Sequence, residues 1–336
     1  MPAALRLKID NAALRSNWRW LARQSGVAAC GAAVKADGYG LGARRVVASL
    51  ANEGCRDFFV ANWDEAAGLG DLPEGSVVSV LHGVRDEDMA RAVTHPGRPV
   101  LNSVAQVLRW RETRRPCDVM IDTGMNRLGL APCDVADGLL DGLIVDTMMS
   151  HLACADEDLP VNARQLADFA ALPRVGRRRS LANSAGVCLG SDYAFDLTRP
   201  GLALYGGIPR AEAAGAIAQV AFPEAQVVQR RLVPTGGTVG YGATFVAGGP
   251  TEIAILNIGY ADGYLRSFAV GGTCGGERWP VVGRVSMDLI AIDVTGGDVG
   301  EGDWVDIDYD LPGASAISGL SQYELLTGLG TRFDRS

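Results

Sequence analysis

Residues 28–42 read AACGAAVKADGYGLG, a run of small apolar residues that stops at Lys35 and breaks into a turn with glycine at 38, 40 and 42. A stretch patterned as an amphipathic helix, 43–53, follows it. The same strand–turn–helix unit recurs along the chain. Candidate strands lie at 28–34, 57–61, 76–82, 99–102, 118–121, 143–150, 179–182 and 196–204, and helical stretches such as 64–70, 86–93, 104–113 and 161–172 lie between them. Strand–helix alternation implies a parallel sheet, and eight units within roughly 200 residues predict a closed (β/α)8 TIM-type barrel. An open doubly wound sheet would need a G-x-G-x-x-G fingerprint after its first strand, and Gly38-Tyr39-Gly40-Leu41-Gly42 lacks that spacing.

After Pro209 the texture changes. From about residue 218 the chain is rich in Val, Ile, Gly and Asp, and short strands are predicted at 252–258, 279–283, 289–294 and 304–309, with one helix near the end at 323–329. Paired glycines at 236–237, 248–249, 271–272 and 296–297 mark the turns. The expected organisation is a barrel over 10–217 and a C-terminal, mostly-β domain over 218–336, joined by a strand within 1–9.

Composition narrows the function. The net charge of −8 offers no basic surplus for nucleic-acid phosphates. No apolar run is long enough for a membrane span, and the first ten residues lack the pattern of a secretory signal, so a cytoplasmic protein is expected. Seven scattered cysteines form no C-x-x-C, which argues against a metal or disulfide framework. Only two of the 31 basic residues are lysines, Lys8 and Lys35. An amine can lose its proton and attack a carbonyl, whereas a guanidinium effectively cannot. Lys35, alone in a glycine-rich turn, therefore invites a chemical role, while Lys8 sits in an ordinary strand pattern.

Barrel enzymes place their active sites at the C-terminal ends of the strands. Lys35 follows the first strand, Arg127 the fifth, His151 the sixth and Ser184 the seventh, while Arg199 and Gly201 lie in the eighth segment. Asn183-Ser184-Ala185-Gly186 and Pro200-Gly201 offer a hydroxyl and backbone N–H groups for an anion at the last two strand ends. Each piece alone is weak, since a lone histidine is usually structural and Asn-Ser-Ala-Gly usually a turn. Together, a lysine able to form a Schiff base and a facing phosphate cradle imply pyridoxal phosphate.

Residues 33–40, AVKADGYG, resemble the cofactor-lysine signature of the alanine racemases. Further matches follow in family order: 121–129 IDTGMNRLG, 150–153 SHLA, 183–185 NSA, 199–206 RPGLALYG, 239–244 VGYGAT, 258–263 IGYADG and 283–288 GRVSMD. The resemblance implies an isomerase that interconverts L- and D-alanine, built as a pyridoxal-phosphate barrel plus a β domain and working as a head-to-tail homodimer with shared active sites. It also implies a role in D-alanine biosynthesis for peptidoglycan. By the resemblance, Lys35 would carry the cofactor and act as base on the D-enantiomer, and Tyr241, from the partner subunit, would serve the opposite face. Two bases on opposite faces move a proton without rotating the substrate. His151 would link that tyrosine to Arg199, and Arg199 would face the cofactor's pyridine nitrogen without protonating it. Tyr39, Ser184, Gly201 and Leu202 would bind the phosphate, the last two through backbone N–H groups. Arg127 and the Met287 N–H would hold the substrate carboxylate, and Tyr260, Asp288 and Thr331 would line the access channel. No metal is implied.

Two departures stand out. Met120 occupies the place where relatives often carry a carbamylated lysine, which would leave Arg127 without its orienting anion. Because a buried unpaired guanidinium costs several kcal/mol, chloride or a loop carboxylate is expected beside Arg127, with Asp122 a poor candidate. Thr331, just before Arg332, aligns with a channel-narrowing tyrosine of relatives, which implies a wider channel. The alternative enzyme reading is therefore a broader amino-acid racemase that accepts serine. A cofactor-carrying barrel protein or a related decarboxylase fits less well, because the motifs at 239–244 and 283–288 match the racemases.

Overall fold

Eight short parallel strands close on themselves in the computed structural model, which describes residues 4–335. Ala32–Ala33, Asp57–Val60, Val77–Val80, Arg98–Leu101, Pro116–Met120, Ile144–Met149 and Arg178–Ser180 pair in sequence order. The eighth strand, Leu197–Thr198, pairs in parallel with Ala29–Cys30, which continues through Gly31 into Ala32–Ala33. On its other side the Arg199 N–H donates to Ala182 O at 2.8 Å and the Asp196 N–H to Arg179 O at 3.0 Å, so the ring is complete. Gly31 is needed at this seam, because a Cβ there would lie 2.7 Å from Asp57 O.

Two expected elements are shortened. The eighth strand, predicted over 196–204, ends at Thr198, because Pro200 cannot donate to a ladder and Leu202–Tyr205 folds into a 3-10 turn. The helix predicted over 86–93 is reduced to Met89–Ala92. At the N-terminal end of the barrel, Arg178 makes a bidentate pair with Asp57 at 2.7 and 3.0 Å and reaches Asp146 at 2.9 Å. Arg98 reaches Asp146 at 2.7 Å, and fully buried Asp118 accepts from Ser79 Oγ and the Thr147 N–H. These partially dry ion pairs fasten four strands on the side away from the chemistry.

The chain divides into a unit spanning Ala12–Ala218 and a second that joins the chain up to Asn11 to Gln219 onward. The second unit is built on Ala221–Val233, a 13-residue strand that the sequence patterns did not single out. A register shift between Val227 and Gln229 lets this strand change neighbours along its length. Its first half pairs with Leu5–Ile9 and Trp304–Asp306, its second with Thr251–Leu256. Residues 1–3 of the strand expected within 1–9 lie outside the described residues. Lys8 pairs with Glu224 at 2.5 Å, a structural ion pair at the sheet. Val233, Val239, Ala247, Ile253, Val282 and Ala291 form a core on one face. Near the end there are two helices instead of one, Leu311–Ser318 and Gln322–Thr327. Pro312 at the start of the first lacks an N–H, which costs nothing in a first helical turn, and Asp310 caps that turn by accepting from the Gly313 N–H. No helix among the described residues is long and apolar enough to cross a membrane.

Candidate active site

Lys35 stands at the C-terminal end of the first barrel strand, where the backbone does something the sequence patterns did not predict. Ala36, Asp37, Gly38, Tyr39 and Gly40 all have positive φ, from 52° to 85°, a short left-handed turn. Left-handed residues other than glycine cost roughly 1–2 kcal/mol each, so Ala36, Asp37 and Tyr39 must be held by their surroundings. The Gly38 N–H donates to Val34 O at 2.8 Å, and the Gly40 N–H to Ala36 O at 2.9 Å. Asp37 Oδ1 accepts from the Ala43 N–H at 2.8 Å, tying the turn to the following helix. Glu65 accepts from the N–H groups of Ala36 and Ala61 at 2.9 and 2.7 Å. Buried Tyr39 stacks on Tyr205 with ring centroids 4.5 Å apart, and the Tyr205 hydroxyl donates to Ala33 O at 2.8 Å. Glu65 and Tyr205 are thus positioning residues whose function the sequence did not reveal. The only hint was the N-x-x-E spacing at Asn62–Glu65, a helix-start signature.

The strand ends bring four basic side chains, Lys35, Arg127, His151 and Arg199, together within the barrel unit. Surrounding protein and the Arg127 charge lower the Lys35 amine from its ordinary value, enlarging its neutral, nucleophilic fraction at neutral pH. Only Glu65 opposes that shift. His151 is pushed down to about 3 by burial and by the charges of Arg199, Arg127 and Lys35, so its imidazole is neutral. Buried Arg199 is lowered to about 10 by desolvation, with Asp118 pulling the other way. It therefore remains a cation, and it donates to Ser180 Oγ at 2.5 Å and Ser150 O at 2.6 Å. Behind this cluster Gln165, fully buried, donates to Thr123 Oγ1 and His151 O and accepts from the Ala153 N–H. A cluster of positive groups with so little opposing charge is built to receive anions.

A second feature fits a phosphate. Ser184 Oγ, at the seventh strand end, accepts from the N–H groups of Gly201 and Ala203 at 2.9 and 3.2 Å, which leaves its own proton for an acceptor. The Leu202 N–H between them donates to no group among the described residues. Gly201 lies so close to Tyr39 that a Cβ would sit 2.3 Å from the phenolic oxygen. The Tyr39 hydroxyl, the Ser184 hydroxyl and the Gly201–Leu202 backbone therefore meet at one place beside Lys35. A carbonyl-bearing, phosphorylated cofactor such as pyridoxal phosphate fits these groups. Gly201→Ala is expected to push the Tyr39 ring, which its stack on Tyr205 prevents from yielding, and to weaken cofactor binding by about tenfold or more. Titrating the apoprotein with pyridoxal phosphate checks this, and unchanged affinity would remove Gly201 from the cradle.

Arg127 stands on the loop that follows the fifth barrel strand, Pro116–Met120. Its loop is clasped at the neck by the Ile121–Leu130 bridge, and within it Gly124, Asn126 and Gly129 have positive φ. The Asp122 carboxylate shapes the loop by accepting from the N–H groups of Gly124 and Met125, both at 2.8 Å. No carboxylate pairs with Arg127 among the described residues, and in the single chain the side chain is exposed. The expected neighbouring anion rested on a buried guanidinium, and in the single chain solvent reaches Arg127. Met120, by contrast, is buried.

The remaining predicted residues lie in the β unit. Tyr241 sits between Gly240 and Gly242, whose φ values of 74° and 73° lift the turn outward, and it is 73% exposed. Met287 and Asp288 are also exposed, Tyr260 is half-buried and Thr331 is exposed.

Comparison with known proteins shows the family. The family model described as the alanine racemase N-terminal domain matches residues 9–209, and that of the C-terminal domain matches 220–336. A catabolic alanine racemase of Mesorhizobium japonicum is 40% identical over 98% of this chain and 92% of its own. A biosynthetic alanine racemase of Agrobacterium fabrum is 39% identical over 99% and 93%. The crystal structure of alanine racemase from Bartonella henselae, which carries covalently bound pyridoxal phosphate, superposes with a TM-score of 0.91 at 35% identity, covering 100% of this chain and 99% of that one. With both domain models matched and full-length relatives at this identity, the chain belongs to the alanine racemase family, whose members depend on pyridoxal phosphate.

Proposed function

We propose that this protein interconverts L- and D-alanine at a site completed by a second copy of the chain, in the cytoplasm, and supplies D-alanine for the cell wall. The observation that carries the reading is the meeting of Lys35 with the Ser184–Gly201 cradle and the basic side chains Arg127, His151 and Arg199 at the strand ends. When bound, pyridoxal phosphate supplies the electron sink that makes the substrate's Cα–H acidic. Lys35 Nζ holds or accepts a proton on one face. The Tyr241 phenolic oxygen does the same on the other, its exposed turn making it available to a partner subunit. Arg199, held by Ser180 and Ser150, offers only donors and keeps its protons near neutral pH, so it does not protonate a group it faces. Neutral His151, with no side-chain partner among the described residues, is available to a phenol. Arg127 on its clasped loop and the Met287 N–H take the substrate carboxylate, while Tyr260, Asp288 and Thr331 flank the channel.

D/L interconversion measured across a panel of amino acids, with and without added cofactor, tests the reaction. Rescue of a D-alanine auxotroph tests the cell-wall role. Failure to convert alanine would sink the first, and failure to rescue the second.

Thr331 favours a second, broader reading. It is exposed, and where relatives place a tyrosine its short side chain leaves space and one fewer phosphate hydrogen bond. Serine is the expected next substrate. Thr331→Tyr is expected to tighten cofactor binding by roughly tenfold, the size of one charge-assisted hydrogen bond, and to raise the alanine-to-serine ratio of kcat/KM. If neither moves, Thr331 lies outside the channel and strict alanine specificity is the better reading.

A further inference from the structure

Three segments of the β unit that carry proposed site residues are bound together by one side chain, Arg332. Its Nε and Nη2 donate to the two carboxylate oxygens of Asp262 at 2.6 and 2.7 Å, and its Nη1 donates to Asp288 Oδ1 at 2.6 Å. Asp262 is fully buried and also accepts from the Gly259 N–H at 3.0 Å, whereas Asp288 is exposed. A planar fork on a buried carboxylate is among the more rigid charge pairings a protein can make, and an ammonium cannot reproduce it.

The backbone is equally committed. The N–H groups of Tyr260 and Ala261 donate to Ser286 O and Met287 O, both at 3.0 Å, and the Gly330 N–H donates to Asp262 O at 3.2 Å. The fit is close enough that a Cβ on Gly259 would lie 2.4 Å from both Ser286 O and Met287 O. In the turn after Val285, the Ser286 N–H donates to Leu289 O, and Ser286 Oγ accepts from the Leu289 N–H. One group is left over. The Met287 N–H donates to nothing among the described residues, although both flanking carbonyls are used.

We propose that Arg332 is a positioning residue that aims the free Met287 N–H, tethering its turn through Asp288 to the buried Asp262 anchor and so setting the grip on the substrate carboxylate. This rests on the placement of Met287 at the substrate carboxylate given above. Asp262 fixes the fork, the fork fixes Asp288, and Asp288 is the residue next to Met287. Without the fork, the 259–263 pairing would still hold the Met287 carbonyl, but the plane of the preceding peptide would be free to tilt. The loss should therefore fall on carboxylate binding rather than on proton transfer.

The test uses the holoenzyme. KM and kcat are measured in both directions, together with competitive inhibition by propionate, which is alanine without its amine and so reads the carboxylate grip alone. For Arg332→Gln and Arg332→Ala, KM and the propionate inhibition constant should rise together by on the order of tenfold or more, with kcat changed little. Arg332→Lys keeps the charge but not the fork, and should show a smaller rise in the same direction. It decides the matter if the other variants fail to fold. Unchanged KM and propionate inhibition would overturn the proposal, as would a fall in kcat that disappears at high enzyme concentration, which marks lost assembly. Met287→Pro, which deletes the N–H, separates the two ideas. If it weakens propionate binding while the Arg332 variants do not, only the role of Arg332 fails. If it leaves propionate binding intact, the placement of Met287 fails and the proposal with it.

Discussion

Lys35→Arg is expected to abolish racemisation while leaving the fold intact. The change keeps the positive charge and nearly the length of the side chain, so a loss cannot be assigned to electrostatics or packing. What disappears is the ability to give up a proton: the Lys35 amine is already lowered by its surroundings and by Arg127, whereas a guanidinium stays charged under all working conditions. Loss of the base alone is worth roughly 10²–10⁴ in rate, and loss of the covalent anchor compounds it. The accompanying measurement is chemical. Borohydride reduction of the holoenzyme followed by peptide mapping should find the pyridoxyl group on Lys35. The competing amine is Lys8, which lies in a strand of the β unit with its nitrogen 2.5 Å from the nearly buried carboxylate of Glu224. That ion pair commits the Lys8 nitrogen to a structural contact in the sheet. Label on Lys8, or residual activity of Lys35→Arg above a hundredth of wild type, would remove Lys35 from the centre of the mechanism.

The barrel and its lysine were legible for a physical reason. Strands buried on both faces and followed by amphipathic helices leave a repeating pattern, and a chain that writes nearly all its cations as arginine makes a lysine conspicuous. The left-handed turn after Lys35 was not legible. Ala36, Asp37 and Tyr39 have no intrinsic preference for positive φ; the turn exists because Glu65, Tyr205 and the Ala43 N–H hold it from distant parts of the chain. The extent of the eighth strand was misread because 196–204 is apolar enough for a strand, while Pro200 and the 3-10 turn after it answer to the phosphate cradle instead. The fork of Arg332 on Asp262 joins residues 70 positions apart, a separation that no local pattern reports. The exposure of Arg127 in the single chain was invisible for a related reason: burial is a property of the assembled surroundings, and the motif carries no record of it.

Tyr241→Phe is expected to lower racemisation by about 10²–10⁴-fold, the usual worth of one positioned acid–base group, while cofactor binding and the fold persist. The loss should be lopsided. Solvent exchange of the Cα proton of D-alanine, served by Lys35, should continue, and that of L-alanine should stop. The assignment of Tyr241 to a partner's site gives a sharper consequence. The turn Gly240-Tyr241-Gly242 points its phenol outward, as a group meant for another surface would be. In a two-fold dimer each site would then combine the Lys35 of one chain with the tyrosine of the other. Lys35→Ala and Tyr241→Phe proteins, each inactive alone, would after subunit exchange form heterodimers in which one site carries both defects and the other neither. Random exchange should restore about a quarter of wild-type activity, because half the dimers are mixed and each holds one sound site. The recovered activity should then be titratable by one reduced cofactor label per heterodimer, found on the chain that retains Lys35. Verified exchange with no recovery would mean that both bases come from a single chain, and the outward turn of Tyr241 would then need another explanation.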